Sequence, residues 1–206
     1  MNVAVFGATG LTGRHVVRLL VDGGHGVRAL ARDPAGFETF DEAVTVVRGD
    51  ARDGSAVAQA IKGTDAVISA FGQRSRRKDD LQEAFYRNLI SAMEQAGARR
   101  LVALSAFGVG DSRAQIPLVF RLIRNTLLKN VYDDKDRADA LLIASGLDYT
   151  NVRPARLTDG PAKGGVRASL DGRGLSNSIG RADVAAFLVG QLDDLTWLRQ
   201  SPLIGY

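Results

Sequence analysis

The chain has 206 residues, 45% of them hydrophobic, and a formal net charge of +4, which suits one globular domain over residues 1–206. It contains no cysteine, which excludes disulfides, thiolate metal sites and a cysteine nucleophile. The charge is too mild to point to nucleic acid, and no stretch reaches the roughly 18–20 apolar residues of a membrane span. Met1-Asn2 runs straight into Val3-Ala4-Val5-Phe6 without a basic leader, so a cytoplasmic protein with no nucleic-acid or membrane partner is expected.

Val3 to Phe6 reads as the first strand, and Gly7-Ala8-Thr9-Gly10-Leu11-Thr12-Gly13 follows with GxxGxxG spacing. Gly7 can turn sharply out of the strand. Gly10 has no Cβ to keep a pyrophosphate from the backbone, and Gly13 permits close packing of helix on strand. A helix over Leu11 to Val21 would then aim its N–H groups and positive dipole end at the phosphates. The next strand is Val27 to Ala31. It ends not in the acid that binds ribose hydroxyls but in Arg32, whose planar fork suits a 2′-phosphate. The alternative for Arg32 is a solvated loop residue; Arg14 stands nearby to assist. Val44 to Val47 is the third strand. After it, Asp50 and Ala51 are placed beside the adenine, with helix capping as the other reading of Asp50.

A helix over Ser55 to Ile61, a strand over Ala66 to Ser69, a helix over Leu81 to Ala96 and a strand over Leu101 to Leu104 continue the alternation. A helix over Asp133 to Ala144 and a strand over Tyr149 to Val152 complete it. Gly23-Gly24, Gly63, Gly97 and Gly146 stand at the helix ends. Short apolar strands alternating with helices predict an α/β fold: a doubly wound, mainly parallel Rossmann-type sheet with helices on both faces. Gln73 to Asp80, Gly108 to Asn130 and Leu157 to Gly180 are the least regular stretches. In such a sheet, ligands bind beyond the carboxyl ends of the strands.

Three stretches carry a family resemblance. GATGLTG followed by RHVV resembles the NmrA-like atypical short-chain dehydrogenases/reductases, as does Ser145 to Pro154 (SGLDYTNVRP). The tail Leu170-Asp-Gly-Arg-Gly-Leu-Ser176, with Ile179, Asp183 and Phe187, is similar to the NADPH-dependent flavin reductases of the biliverdin reductase B type. Phe71-Gly72-Gln73-Arg74 and Ser105-Ala106-Phe107 share that similarity. The resemblance implies NADP as cofactor, with Arg32 on the 2′-phosphate, Ala70, Phe71 and Gly72 along the adenosine half and Arg74 near the phosphates. Ser105 and Ala106 would flank the nicotinamide, and the Pro154-Ala155 backbone would hold its carboxamide. It also implies a monomer, although the residues leave a dimer open.

Catalytic candidates are few. Tyr132-Asp133-Asp134-Lys135 is YxxK, one residue short of the YxxxK in which a lysine lowers the pKa of a tyrosine acid. Both spacings keep the pair on one helix face. By the resemblance, Lys135 rather than Tyr132 falls where the atypical family members carry their lysine, which makes Lys135 the catalytic candidate of the two. Ser105 is a hydroxyl at the nicotinamide, or else a plain strand-end turn. Phe107 is an apolar wall for a planar substrate, or else core filling. Leu118, Val119, Phe120 and Leu122 either cover a cleft or form the core stripe of an ordinary helix. His15 and His25 have no partner set for a metal, and none is expected.

The resemblance, with these residues, implies an NADPH-dependent reductase acting on a flavin or similar planar acceptor, biliverdin-like or quinone. The alternative is a non-catalytic NADP-binding redox sensor. A carbonyl or sugar-nucleotide reductase of the ordinary type is disfavoured by the YxxK spacing and the short C-terminal half. Arg32→Ala is expected to erase a preference for NADPH over NADH. A charge-assisted phosphate contact contributes about 1.5–3 kcal/mol, roughly ten- to hundred-fold in affinity. Titration of both cofactors checks this, and an unchanged affinity ratio in the variant would refute the assignment.

Overall fold

A computed structural model describes residues 1–33, 43–72 and 78–206. An eight-stranded sheet forms its centre, in the order β3-β2-β1-β4-β5-β6-β10-β8. Its strands are β1 (Asn2–Phe6), β2 (Gly26–Ala31), β3 (Val44–Arg48), β4 (Ala66–Ser69), β5 (Arg100–Leu104), β6 (Asp148–Pro154), β8 (Arg167–Ser169) and β10 (Leu203–Gly205). Every neighbouring pair is parallel except β10 with β8. Outside this sheet, β7 (Arg156–Thr158) pairs in parallel with β9 (Ser178–Gly180). The six expected strands are all present.

Strand β1 shows why the sheet is covered on both faces. Its side chains alternate, with Ala4 and Phe6 in one core and Val3 and Val5 in the other. The first core is closed by α2 (Gly54–Ile61), α3 (Leu81–Ala96) and α5 (Lys129–Ala144), which pack side by side. Phe85 of α3 is its centre, with ring centroids 5.1 Å from Phe6 and 4.5 Å from Phe71. The second core is closed by α1 (Gly13–Asp22) and α6 (Arg181–Gly190).

Several boundaries differ from the sequence expectation. Helix α1 starts at Gly13 rather than Leu11, because the loop stays wound on itself through Gly10 N–H donating to Gly7 O at 2.8 Å. Helix α5 starts at Lys129, so Tyr132 and Lys135 lie inside its first two turns. The stretches expected to be irregular contain a 3-10 turn (Gly110–Ala114), α4 (Leu118–Asn125), β7, β8 and β9. Strand β10 joins the sheet beside β6, where Arg153 N–H donates to Pro202 O at 2.9 Å.

The start of α3 has an unusual cap. Asp80 at its N-cap makes no side-chain cap hydrogen bond. The buried Asp134 of α5 does so instead, accepting from Gln82 N at 2.9 Å and Glu83 N at 3.2 Å. One carboxylate therefore satisfies the end of a helix distant in sequence and locks α5 against α3. Asp134→Ala is expected to lower stability by about 2 kcal/mol, a Tm fall of roughly 4–8 °C at this size, whereas Asp134→Asn keeps an acceptor oxygen and recovers most of it. Thermal melts of the two variants decide this, and an alanine variant melting with the wild type would rule the cap out.

Candidate functional site

The strand order reverses between β1 and β4, and the candidate site lies along the carboxyl edge at that reversal. The glycine loop links β1 to α1 there. Gly7 has φ +76°, and a Cβ on it would sit 2.5 Å from Ala70 O. The loop thus lies directly against the segment after β4, which joins Gly7–Gly13 to Ala70–Gly72. A Cβ on Gly13 would overlap the Gly7 carbonyl, whereas one on Gly10 would meet only Gly7 O at 3.0 Å. Gly7 and Gly13 are thus required by the fold itself, and Gly10 leaves open space above the loop. Such a cradle, ending at the N-terminus of α1, fits a pyrophosphate.

The remaining cofactor candidates lie along the same edge. Arg32 is exposed just past the end of β2. Asp50 follows β3 and accepts from Arg52 N at 2.9 Å; the α2 cap is Asp53, which accepts from Ser55 N. Ala51 is buried in the core under α2 and α3. Arg74 lies outside the described residues. Ser105 and Ala106 follow β5, Pro154 ends β6 and Ala155 follows it. The two segments are stitched together, with Ser105 N–H donating to Val152 O at 2.8 Å and Phe107 N–H to Pro154 O at 3.2 Å.

These last four residues form one wall of a cavity of about 950 Å³. Phe107, Phe120, Tyr132, Leu157, Leu175 and Ile204 contribute much of the rest. The predominance of apolar side chains with a few polar groups is the usual character of a small-molecule site. Phe107, half-buried, is a cavity wall rather than core filling. Of the apolar residues of α4, only Phe120 reaches the cavity. Leu118, Val119 and Leu122 are exposed, so they neither line the cleft nor form a core stripe.

The Tyr132–Lys135 pair does not meet. Tyr132 is buried at the cavity wall and donates its hydroxyl to Phe107 O at 3.3 Å, and burial raises its pKa. Lys135 donates instead to Gln82 of α3 at 3.4 Å, and burial lowers its pKa. Ser105 has a partner that sequence reading passed over: its Oγ donates to Asp139 Oδ1 at 2.9 Å. Asp139 also accepts from Asn151 Nδ2 at 2.9 Å and from Arg153 at 3.1 Å. Arg153, 1% exposed, pairs in addition with Asp111. A signal was present in the sequence for one of them: Asp139 is the lone acid in the apolar run Ala138-Asp139-Ala140-Leu141-Leu142.

The fold and this edge define the class of NAD(P)H-dependent oxidoreductases. A family model described as NAD(P)H-binding matches residues 7–195, and the chain belongs to that family. It is 33% identical over 204 residues to a Bacillus subtilis protein named an uncharacterized sugar epimerase, YhfK, covering 94% of this chain and 89% of that one. It is 29% identical over 197 residues to the (4-alkanoyl-5-oxo-2,5-dihydrofuran-3-yl)methyl phosphate reductase of Streptomyces griseus, covering 92% of this chain and 62% of that one. Among solved structures, ChuY of Escherichia coli O157:H7, described as an anaerobilin reductase, superposes with a TM-score of 0.85 at 25% identity, over 100% of this chain and 97% of that one. Among the described residues, no helix is long and apolar enough to cross a membrane, and no group of three or more His, Cys, Asp or Glu is arranged to hold a metal ion.

The two glycines separate binding from folding. Gly10→Val is expected to fold and lose NADPH binding, because its methyls fill the space above the loop. Gly13→Ala is expected to destabilise the protein outright. Isothermal titration and thermal melts of both variants test this, and a folded Gly10→Val that binds NADPH as the wild type does would place the phosphates elsewhere.

Proposed function

We propose that the protein is an NADPH-dependent reductase whose acceptor is a planar, conjugated small molecule of flavin or linear-tetrapyrrole type. The observation that carries this is the position of the cavity. Ser105, Ala106, Pro154 and Ala155, the residues assigned to the nicotinamide, form a wall of it, so an acceptor inside would lie against the nicotinamide face. The bound dinucleotide supplies the hydride. The chain's own contribution is to hold the two planar groups in contact and keep water away, which the apolar walls of Phe107, Phe120 and Leu157 do. Arg32 supports NADPH over NADH as the reductant. ChuY, the structural neighbour described as an anaerobilin reductase, supports a tetrapyrrole-like acceptor.

The Tyr132–Lys135 pair has no part in this reading. Tyr132 spends its hydroxyl proton on Phe107 O, and Lys135 turns to Gln82. Lys135 enters this reading by itself, as a positioning residue through the charge it places near Asp139.

NADPH oxidation is expected with at least one of FMN, biliverdin and menadione, followed at steady state. Tyr132→Phe is expected to lose less than about tenfold in rate, a barrier change of about 1.4 kcal/mol, where loss of a true general acid typically costs about a hundred- to ten-thousand-fold. A hundred-fold loss would point to ordinary carbonyl chemistry. Tight NADPH binding with no turnover of the three acceptors would favour the redox-sensor reading.

A further inference from the structure

The buried chain Ser105–Asp139–Arg153–Asp111 leads from the cavity to the surface. Ser105 and Arg153 line the cavity at one end. Asp111 stands at the other, its side chain 81% exposed. Asp139 sits between them on α5, nearly inaccessible to solvent, and no step described so far uses it. We propose that Asp139 is a positioning residue acting through Ser105: the two form a proton relay that gives the acceptor its proton as hydride arrives. The proposal rests on the reading that Ser105 faces the reacting atoms.

The proton balance closes. In the loaded state, Asp139 carries a proton on Oδ1 and donates it to Ser105 Oγ, which leaves the Ser105 O–H free to point into the cavity. Reduction breaks the nicotinamide C4–H bond, forms a bond from that hydrogen to the acceptor, and moves an electron pair onto an acceptor heteroatom. That atom takes the Ser105 hydroxyl proton, and Ser105 takes the proton of Asp139. The nicotinamide is oxidised and the acceptor has gained one hydride and one proton. Asp139 is left as a carboxylate accepting from Ser105, which is the arrangement in the structure. A proton from bulk water reloads it.

The surroundings of Asp139 suit a group that changes protonation. Burial pushes its pKa up, while Arg153, Ser105 and Asn151 pull the other way. The titratable and charged groups around it are Arg153 and Tyr149 on β6, Tyr86 on α3 and Lys135 one turn away on α5, with Asp111 beyond Arg153. The productive form is the protonated one. Its contribution is therefore full below the folded-state pKa and is lost as pH rises through it, above the ordinary carboxylate range.

Single-turnover NADPH oxidation with biliverdin as the probe, measured across pH, tests the relay in the wild type, Ser105→Ala, Asp139→Asn and the double variant. The wild-type rate is expected to fall as pH rises. Each single variant should be slower by about tenfold or more with a flat profile, and the double variant no slower than the slower single one, because the two residues act as a unit. Additive losses, or an Asp139→Asn variant that keeps the wild-type profile, would overturn the proposal. Ser105→Ala leaves the Arg153–Asp139 ion pair in place, so it reports even if Asp139→Asn folds poorly. A second measurement does not depend on turnover: the ¹³C NMR titration of the Asp139 carboxyl in the NADP⁺-bound protein. A raised midpoint that moves in Ser105→Ala supports the relay. A midpoint in the ordinary carboxylate range, or one blind to Ser105→Ala, refutes it. A coupled Asp139 in a protein that reduces no planar acceptor would refute the acceptor reading alone.

Discussion

One buried cation organises the half of the molecule that walls the cavity. Arg153 is the penultimate residue of β6, 1% exposed between Val152 and Pro154, and an unpaired guanidinium there would be prohibitively costly. Its charge is balanced by Asp139 from α5 and Asp111 from the 3-10 turn, so two segments must converge on β6 before that strand can be buried. Removing one partner of such a pair typically costs about 3–5 kcal/mol, since it strands the other charge. The same carboxylate that neutralises Arg153 orients Ser105. The group that anchors the fold and the group that faces the cavity are thus one network.

A second buried arginine performs the same task one layer out. Arg124 of α4 donates to Gly108 O at 2.9 Å, pairs with Asp136 of α5, and lies 5.2 Å from the Tyr132 ring centroid. It holds α4 down by its charged residue while Leu118, Val119 and Leu122 stay exposed. This reverses the usual amphipathic arrangement and explains why apolar periodicity did not reveal how α4 packs. On α5, the acids serve different masters: Asp134 caps α3, Asp136 pairs with Arg124 and Asp139 holds Ser105. Read as a string, Asp133-Asp134-Lys135-Asp136-Arg137 is simply a run of charges near the start of a helix. The acids of that helix instead tie it to three different parts of the structure.

What could be read from the sequence divides along the same line. The cofactor half depends on local chemistry, namely a short apolar strand, three glycines at fixed spacing and an amphipathic helix, all within about twenty residues. Each constraint there is between near neighbours, as the Gly13–Gly7 contact shows. The six strands of the parallel sheet were legible for the same reason. The acceptor half depends on contacts between residues far apart in the chain. Strands β8 and β10 are three residues each and lack a periodic pattern of their own; they exist because β6 offers an unpaired edge. Asp139 and Ser105 are 34 residues apart and Arg153 and Asp111 are 42 apart. No spacing rule links such pairs, and only the oddity of Asp139 within an apolar run marks one of them.

This division bears on how the site would change in evolution or design. The dinucleotide half tolerates little, because Gly7 and Gly13 are fixed by backbone contact rather than by ligand. The acceptor cavity is walled by side chains from the loop after β5, α4, α5 and the β7–β10 region. Helix α5 and the β7–β10 region reach the two cores through Ala138, Leu142, Ile179 and Ile204, but Phe107, Phe120 and Leu175 belong to neither core, so these wall residues can change without disturbing the sheet. Phe107, Phe120 and Leu175 can thus set the shape of the acceptor, while Ser105, Asp139 and Arg153 must stay together. In the proposed reductase, selectivity and proton delivery are carried by different residues of one cavity, and a change of acceptor need not alter how the proton arrives.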